Sequence, residues 1–343
     1  MIPTDSKTLP EHFLSALSDL TDPIGKKFIC AFSGGLDSTA LLSLAAVTLG
    51  PKNLLAAHLD HCLRPESGEE ALKAKKIAQG LKVKFIAAKA DIPGLAKARG
   101  NGLEEAARIG RYEFLAKTLA ETGFDYILTA HQANDLAETV LLKLIRGAGT
   151  SALLGINPGR DRILRPLLSF ARAELAEYVR EQNLNYVYDP SNEDPRFKRN
   201  LLRQVIWPEL EKLNPAILAA FARTAQIALA EEEFWSSHIS RLADSLSRNT
   251  GDGRIRLLAA GFAELTLAEQ RRLAGHLLRK IHNPARGGGQ NIPLSGVTLL
   301  IKFANQDWEN GQGLDLPGGR RVERQGLYLY LGPSSRYSPP SGV

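Results

Sequence analysis

KFICAFSGGLDSTALL, residues 27–42, is the stretch of sequence that decides the fold. An apolar run typical of a buried strand meets two glycines and then opens into a run typical of a helix. Gly34 and Gly35 lack a Cβ, so the backbone there can adopt positive φ and bring its N–H groups close to an anion, in front of the positive end of the next helix dipole. The stretch therefore predicts a strand, a phosphate-binding loop and a helix.

The side chains of this loop add hydrogen-bond donors and one carboxylate. Ser33 and Ser38 supply hydroxyl groups, and Asp37 supplies a carboxylate suited to Mg²⁺. The alternative is a tight turn in which Asp37 only complements the helix dipole. The loop differs from Walker A, since no Gly-Lys-Ser/Thr follows, and from the dinucleotide motif G-x-G-x-x-G.

Size, charge and cysteine content limit the class of protein. A chain of 343 residues with 44% hydrophobic residues is long enough for two or three domains. Its two cysteines, Cys30 and Cys62, are too few for a disulfide framework or a C-x-x-C metal site, which favours a cytoplasmic protein. We find neither a signal-like start nor an apolar run of about 18 residues, so we expect no membrane partner. A net charge of +6 fits a polyanionic partner.

Helical and strand patterns alternate through the first half of the chain. The predicted strands after the opening one cover residues 53–59, 82–88 and 124–130, with helical patterns between them. Such alternation predicts an α/β fold, a doubly wound and mostly parallel Rossmann-like sheet, whose ligands bind outside the carboxyl ends of the strands.

Polar residues follow the predicted strands and should therefore converge at one edge of the sheet. Asp60 follows the second strand, and His131 and Asp135 follow the fourth. Asp135 and Glu138 are three positions apart on a predicted helix, so they share a face. Two carboxylates beside a phosphate loop indicate Mg²⁺, although acidic residues in a first helical turn can simply serve the dipole. His131 is either a donor to a phosphoryl oxygen or a histidine with an ordinary structural partner.

A change of pattern near residue 215 predicts a domain boundary. We assign residues 1–215 to the sheet domain, 216–333 to a smaller, mainly helical domain ending in a β-hairpin, and 334–343 to a disordered tail. Two stretches are rich in basic residues, 196–203 and 271–286, and the second includes Arg271, Arg272, Arg279 and Lys280. Either could neutralise phosphates, and either could be a solvated helix face.

Further motifs stand in a fixed order between residues 24 and 215, and together with the loop they resemble one family. They are SGGLDS at 33–38, HLDH at 58–61, LEEAAR at 103–108, RY at 111–112, TAH at 129–131, Asp135, AET at 137–139, RG at 146–147, RPLL at 165–168, Asp189, Asn192 and RN at 199–200. In this order and spacing the chain resembles the tRNA(Ile)-lysidine synthetases, which belong to the PP-loop ATP pyrophosphatases.

The resemblance implies a reaction and its substrates. Free L-lysine would be joined to C2 of the wobble cytidine in tRNA(Ile) with a CAU anticodon, so that the codon read changes from AUG to AUA. ATP would first adenylate the cytidine, and pyrophosphate and then AMP would leave. ATP and Mg²⁺ are thus the implied cofactors, and tRNA(Ile) and lysine the implied partners, with residues 216–333 as the tRNA-binding domain. A homodimer is compatible with the resemblance.

The resemblance also implies roles for individual residues. Arg108 and Arg111 would hold AMP or the cytidine, unless they are surface arginines of a helix. The implied nucleotide-binding set is Ser33, Gly34, Gly35, Leu36, Asp37, Ser38, Asp60 and Arg108. The implied catalytic set is Asp37, Arg111, His131, Asp135 and Glu138, with Asp37 and Asp135 as metal ligands.

Departures from the family pattern and two rival functions remain. The family usually has Gly at position 62 and often His, Asp and Gln where Gln132, Asn134 and Leu136 stand. One rival is another PP-loop enzyme, catalysing tRNA 2-thiolation or small-molecule amidation, although thiolation normally needs more cysteines. The other rival is a non-catalytic RNA-binding protein that keeps a relic nucleotide site.

Overall fold

The computed structural model describes residues 8–62, 67–100, 102–188, 198–281, 292–306 and 309–334. The chain divides into two compact units, Met1–Leu229 (unit 1) and Ala230–Val343 (unit 2). The division falls inside the helix Ile217–Leu246, whereas we placed the boundary near 215, just before this helix begins. Asp189, Asn192 and the predicted tail beyond Ser334 lie outside the described residues.

Unit 1 contains the alternating strands and helices that the sequence predicts. Its strands are β1 (Phe28–Ala31), β2 (Leu54–Asp60), β3 (Lys84–Lys89), β4 (Tyr126–Leu128), β5 (Gly159–Arg160) and β6 (Ile163–Leu164). Its helices are α1 (Leu9–Ser18), α2 (Leu36–Leu49), α3 (Ser67–Gly80), α4 (Ile92–Arg99), α5 (Leu103–Thr122), α6 (Ala133–Ile145), α7 (Arg172–Glu181), α8 (Lys198–Leu201) and α9 (Trp207–Leu213), and α10 (Ile217–Leu246) continues into unit 2. A π-helical turn, Leu202–Ile206, joins α8 to α9.

The six strands form one sheet in the order β3-β2-β1-β4-β6-β5. All neighbouring pairs are parallel except β5 and β6, which are antiparallel. Alternate β1 residues enter opposite cores, because Phe28 and Cys30 pack in one apolar cluster and Ile29 packs in another. Both faces of the sheet are therefore covered, and the predicted doubly wound fold is confirmed.

Unit 2 is built around a five-stranded antiparallel sheet in the order β7-β8-β11-β10-β9. Its strands are β7 (Ser247–Asn249), β8 (Ile255–Leu258), β9 (Gly313–Leu316), β10 (Arg320–Gln325) and β11 (Tyr328–Pro333), and its further helices are α11 (Ala259–Ala263), α12 (Leu267–Lys280) and α13 (Leu294–Ala304). The predicted hairpin is present as β10 and β11, within a larger sheet than the sequence indicated. β7 and β8 are too short for a clear alternation of apolar and polar residues.

Among the described residues, no single helix has the length and apolar composition needed to cross a membrane. One bent pair, Lys198–Leu213 with Ile217–Leu246, meets those two criteria when both helices are taken together.

Candidate active site

The loop between β1 and α2 is ordered by hydrogen bonds of its own serines. Ser33 Oγ lies 3.1 Å from Ser38 Oγ and accepts the Gly35 N–H at 3.3 Å. The Ser38 hydroxyl also lies 3.0 Å from the Gly35 carbonyl oxygen. Gly35 is the N-cap of α2. The loop thus precedes a helix N-terminus, where backbone N–H groups and the dipole favour an anion.

Gly34 fits the loop because it has no Cβ. Its φ is +86°, and a Cβ would meet Ala74 Cβ and Val187 Cγ2, both at 3.1 Å. Its carbonyl oxygen accepts the Val187 N–H at 2.8 Å. The extended segment around Val187 is thereby fixed against the phosphate loop.

Replacing Gly34 by alanine should therefore destabilise unit 1 by about 1–3 kcal/mol, since positive φ and a tight contact both oppose a Cβ. Gly35→Ala is the matched control, because Gly35 has φ −70° and a Cβ at this position would come no closer than 3.4 Å to another atom, Ser33 Oγ. Chemical denaturation of both variants measures the difference. Equal free energies of unfolding would contradict this account of Gly34.

The end of β2 contributes a second group of polar residues. His58 is buried, and its Nδ1 lies 2.9 Å from the Phe32 carbonyl oxygen, which links the ends of β1 and β2. Asp60 accepts the Cys62 N–H at 2.9 Å. Cys62 has φ +51°, the left-handed region that favours glycine, as expected at a position where the resembling family usually has Gly. Burial, and then the charge of Arg111, lower the pKa of His61 to about 4.

The end of β4 places His131 at the same edge of the sheet. Its Nδ1 lies 2.9 Å from the Thr129 hydroxyl. Burial lowers the pKa of His131 to about 4, although the nearby Asp135 opposes this shift. The imidazole is therefore neutral near pH 7, and in the tautomer in which the Thr129 hydroxyl donates to Nδ1 it presents an Nε2–H donor.

The start of α6 carries a carboxylate pair bridged by an arginine. Glu138 is only 2% exposed, and its two oxygens accept hydrogen bonds from Arg203 Nε at 2.5 Å and Nη2 at 3.1 Å. Arg203 Nη2 also donates to Asp135 Oδ1 at 3.0 Å. Burial raises the pKa of Glu138, and the hydrogen bonds and charge of Arg203 oppose that shift because a bidentate arginine favours the ionised carboxylate. Asp135 and Glu138 share a face of α6, as their spacing predicts.

Asp37 is the carboxylate best placed to take a further ligand. Its Oδ1 is buried and has no hydrogen-bond partner within the described part of the chain. Burial raises the pKa of Asp37, Arg172 lowers it and Asp135 raises it again. A buried carboxylate oxygen without a partner is costly, and a bound cation would remove that cost.

Two of the residues that depart from the family pattern, Gln132 and Asn134, accept hydrogen bonds through their side-chain oxygens, whereas Gln132 Nε2 is buried without a partner in the described part of the chain. Gln132 Oε1 accepts the N–H groups of Asn134 at 2.5 Å and Asp135 at 3.4 Å, so Gln132 caps α6. Asn134 Oδ1 accepts the Arg172 N–H at 3.0 Å. These contacts hold Asp135 at the start of the helix, and the substitutions leave the carboxylates in place.

Most predicted site residues surround one cavity of about 810 Å³ at the carboxyl edge of the sheet. The predicted residues in its wall are Ser33, Gly35, Leu36, Asp37, Ser38, Asp60, Arg111, His131 and Asp135. The predicted convergence of the strand ends is therefore confirmed. Gly34 and Glu138 are not in the wall: Gly34 packs against Ala74 and Val187, and Glu138 is bonded to Arg203.

Arg108 is placed elsewhere on α5. Its side chain is 63% exposed, pairs with Glu105 at 3.6 Å and lies over the Tyr112 ring at 5.4 Å. It is not part of the cavity wall, which removes the geometric support for a nucleotide contact by Arg108.

Several residues of the cavity wall were not singled out from the sequence. Arg203 belonged to a basic run, 196–203, that we expected either to neutralise phosphates or to be a solvated helix face, and only the fold shows that it faces Asp135 and Glu138. Tyr186 and Tyr188, which are 46% and 57% exposed, also line the cavity. The two tyrosines are two positions apart in an extended segment, so their side chains point to the same side. This spacing was the signal in the sequence that could have identified them.

The doubly wound sheet, the Ser-Gly-Gly loop before a helix and the carboxylates at the strand ends define a PP-loop domain. Residues 9–210 match the family described as the PP-loop domain. A U34-tRNA thiolase from Methanococcus maripaludis, solved with its [4Fe-4S] cluster, has the same fold, with a TM-score of 0.53 and 19% identity over 64% of this chain and 78% of that chain.

Comparison with known sequences identifies the family more specifically than the fold does. A tRNA(Ile)-lysidine synthase of Solibacter usitatus is 34% identical over 90% of this chain and 68% of its own length. Those of Thermus thermophilus and Deinococcus radiodurans are 38% and 36% identical over 89% and 96% of this chain. The chain belongs to the tRNA(Ile)-lysidine synthase family. It spans about half the length of the Thermus and Deinococcus proteins, at 56% and 52%.

Proposed function

We propose that this chain uses ATP to ligate free L-lysine to C2 of the wobble cytidine in tRNA(Ile) with a CAU anticodon, forming lysidine, AMP and pyrophosphate. The observation that carries the proposal is the shared cavity, in which the phosphate loop meets Asp37, Asp135, His131 and Arg111. Family membership supports the choice of substrate. We propose that this reaction takes place in the cytoplasm. We also propose that the chain forms a homodimer.

The loop would hold the triphosphate so that its α-phosphorus faces the cytidine. Backbone N–H groups at the start of α2 and the hydroxyls of Ser33 and Ser38 are the donors at the loop. Attack by the C2 carbonyl oxygen on the α-phosphorus breaks its bond to pyrophosphate. Positioning and charge stabilisation supply most of the acceleration in such phosphoryl chemistry.

The carboxylates fit Mg²⁺ as a second cofactor. Mg²⁺ in nucleotide sites takes one or two carboxylates together with phosphate oxygens, so the lack of a cluster of three protein ligands within the described residues does not oppose it. Asp37, through its unpartnered Oδ1, and Asp135 would hold it. The metal would supply charge to offset the negative charge that develops on the departing pyrophosphate.

Neutral His131 would donate a hydrogen bond from Nε2 to a phosphoryl oxygen, and Thr129 would fix the ring. Glu138 has both oxygens engaged by Arg203, so we assign it to positioning Arg203 and Asp135 rather than to direct contact with the metal. The lysine amine then displaces AMP at C2, and its proton leaves to solvent or to a cavity carboxylate.

Mass analysis of the anticodon nucleoside after incubation with tRNA(Ile), ATP and lysine tests the proposal directly. We expect lysidine to form. We also expect repeated release of pyrophosphate to require both tRNA and lysine. Turnover with ammonia or a sulfur donor in place of lysine would instead identify an amidation or thiolation enzyme. Binding of tRNA without any pyrophosphate release would identify a non-catalytic RNA-binding protein.

The basic stretch on α12 gives a prediction about tRNA affinity. Replacing Arg271, Arg272, Arg279 and Lys280 together by alanine should weaken tRNA binding about tenfold and reduce its salt dependence, since fewer phosphates are neutralised. Arg272 also pairs with Glu232 at 2.6 Å and lies over Trp235, so part of its effect will be on stability. Binding isotherms at several salt concentrations measure both quantities. An unchanged salt slope would mean that this helix face is only solvated.

A further inference from the structure

One face of the sheet in unit 2 carries arginines and tyrosines in place of apolar residues. Along β8 and β11 the buried residues are Ile255, Leu257, Leu329 and Leu331, which enter the core of the unit. The residues that alternate with them, Arg254, Arg256, Tyr328 and Tyr330, are partly exposed on the opposite face. We call these four residues the arginine–tyrosine face.

Each arginine of this face lies over a tyrosine ring of the neighbouring strand. Arg256 Cζ is 4.5 Å from the centroid of Tyr328, and Arg254 Cζ is 5.3 Å from that of Tyr330. Stacking uses the flat face of a guanidinium group and leaves its N–H edge for oxygen acceptors such as phosphate. The four side chains are thus ordered by one another before any ligand arrives.

A glycine allows Arg254 to lie flat on the sheet. A Cβ at Gly332 would come within 2.7 Å of Arg254 Cγ and 3.2 Å of its Cδ. Because Gly332 lacks that atom, the Arg254 stem packs directly against the backbone of β11 at this position.

The charges of this surface are incompletely compensated. Arg254 pairs with Asp252 at 2.7 Å, but Arg256 has no carboxylate partner in the described part of unit 2. Arg248 lies directly opposite Arg256 on β7, and its guanidinium donates to the backbone carbonyl oxygens of Asp244 and Ser247. Like charges placed opposite each other across two strands destabilise a sheet, and an anion bound at Arg256 would offset that repulsion.

We propose that the arginine–tyrosine face, with Arg248, is an RNA-binding surface. Arg248 and Arg256 contact phosphates, and Tyr328 and Tyr330 contact the sugar or a base, as aromatic residues on other RNA-binding sheets do. RNA alternates flat bases with negatively charged phosphates, and this alternation matches tyrosine rings that lie between arginine side chains. An acidic protein surface would match the same side chains less well. We take the RNA to be the tRNA substrate, and this step rests on the proposed function. The surface is separate from the basic stretch of α12.

The full chain with Arg248 and Arg256 both replaced by alanine tests the surface. We expect tRNA affinity at physiological salt to fall about tenfold and the salt slope to fall by about 1–2, one step for each lost phosphate contact. Arg241→Ala with Lys302→Ala is the matched control, since it removes two cations from α10 and α13 of the same chain. Tyr328→Leu should weaken binding without changing the slope.

A measurement on the unmodified chain guards against a variant that fails to fold. Bound tRNA should protect Arg248 and Arg256 from phenylglyoxal, while Arg241 stays reactive. Unprotected arginines, or a double variant that binds tRNA like its control, would overturn the surface, and an acidic protein partner would then have to be sought. Lysidine formation by the unmodified chain is scored separately, so the proposed function can fail while the RNA surface stands.

Discussion

Asp37→Asn should lower the rate of ATP-dependent adenylation of tRNA about 1000-fold while leaving tRNA affinity within about twofold. Asparagine keeps the shape of the side chain and removes only the negative charge. Asp37 Oδ1 is buried without a hydrogen-bond partner in the described part of the chain. We therefore expect the negative charge of Asp37 to serve mainly in binding a cation. Losing about 4 kcal/mol of transition-state stabilisation corresponds to a rate change of this size.

Two measurements separate this metal role from a structural one. Pyrophosphate release reports adenylation, and the Mg²⁺ concentration for half-maximal rate should rise in the variant if any activity remains. Asp161→Asn is the control, since Asp161 lies in an exposed turn, pairs with Arg160 and has a left-handed φ that asparagine tolerates. Turnover of Asp37→Asn within threefold of the unmodified chain would show that the carboxylate does not hold the metal.

Local sequence rules were sufficient for the phosphate loop and the sheet edge. A strand, two glycines and a helix follow from apolar patterning and backbone freedom over only sixteen residues, 27–42. Asp60 and His131 then reach the same edge because each lies at the carboxyl end of a parallel strand. These inferences need no knowledge of how distant segments pack.

Contacts between distant segments were beyond those rules. Arg203 and Glu138 are separated by 65 positions, and nothing in either local pattern pairs them. Arg108 shows the same limit, since a helix motif does not tell which of its faces meets the cavity, and the exposed Arg108 side chain pairs with Glu105. In unit 2 the cross-strand stacking of Arg256 on Tyr328 depends on the register of β8 and β11.

The Arg203 bridge changes how the acidic groups of the site should be understood. Burial raises the pKa of Asp37, and the charge of a second carboxylate, Asp135, adds to that shift. Arg203 offsets this repulsion, because it bonds Asp135 and its charge also lowers the pKa of Asp37. Glu138 holds Arg203 through two hydrogen bonds. A buried carboxylate three positions from Asp135 thus stabilises the acidic site from behind, without entering the cavity.

Arg203→Met should consequently destabilise unit 1 by about 3–5 kcal/mol, because it leaves Glu138 as a buried charge without its partner. Adding Glu138→Gln should recover most of that loss, since the second change removes the uncompensated charge. Lys212→Met with Glu209→Gln is the control: this pair is 70% and 65% exposed, and its removal should cost less than about 1 kcal/mol. Chemical denaturation of the four proteins gives the free energies of unfolding.

The pH dependence of the single variant provides an independent check. Without Arg203, burial raises the pKa of Glu138 in the folded state further above its unfolded value. A group whose folded pKa is raised contributes stability below its unfolded pKa and loses it as pH rises through the folded pKa. Arg203→Met should therefore unfold more easily at pH 7 than at pH 4.5, measured relative to the unmodified chain. A deficit that is equal at both pH values would mean that Arg203 contributes by packing and does not neutralise Glu138.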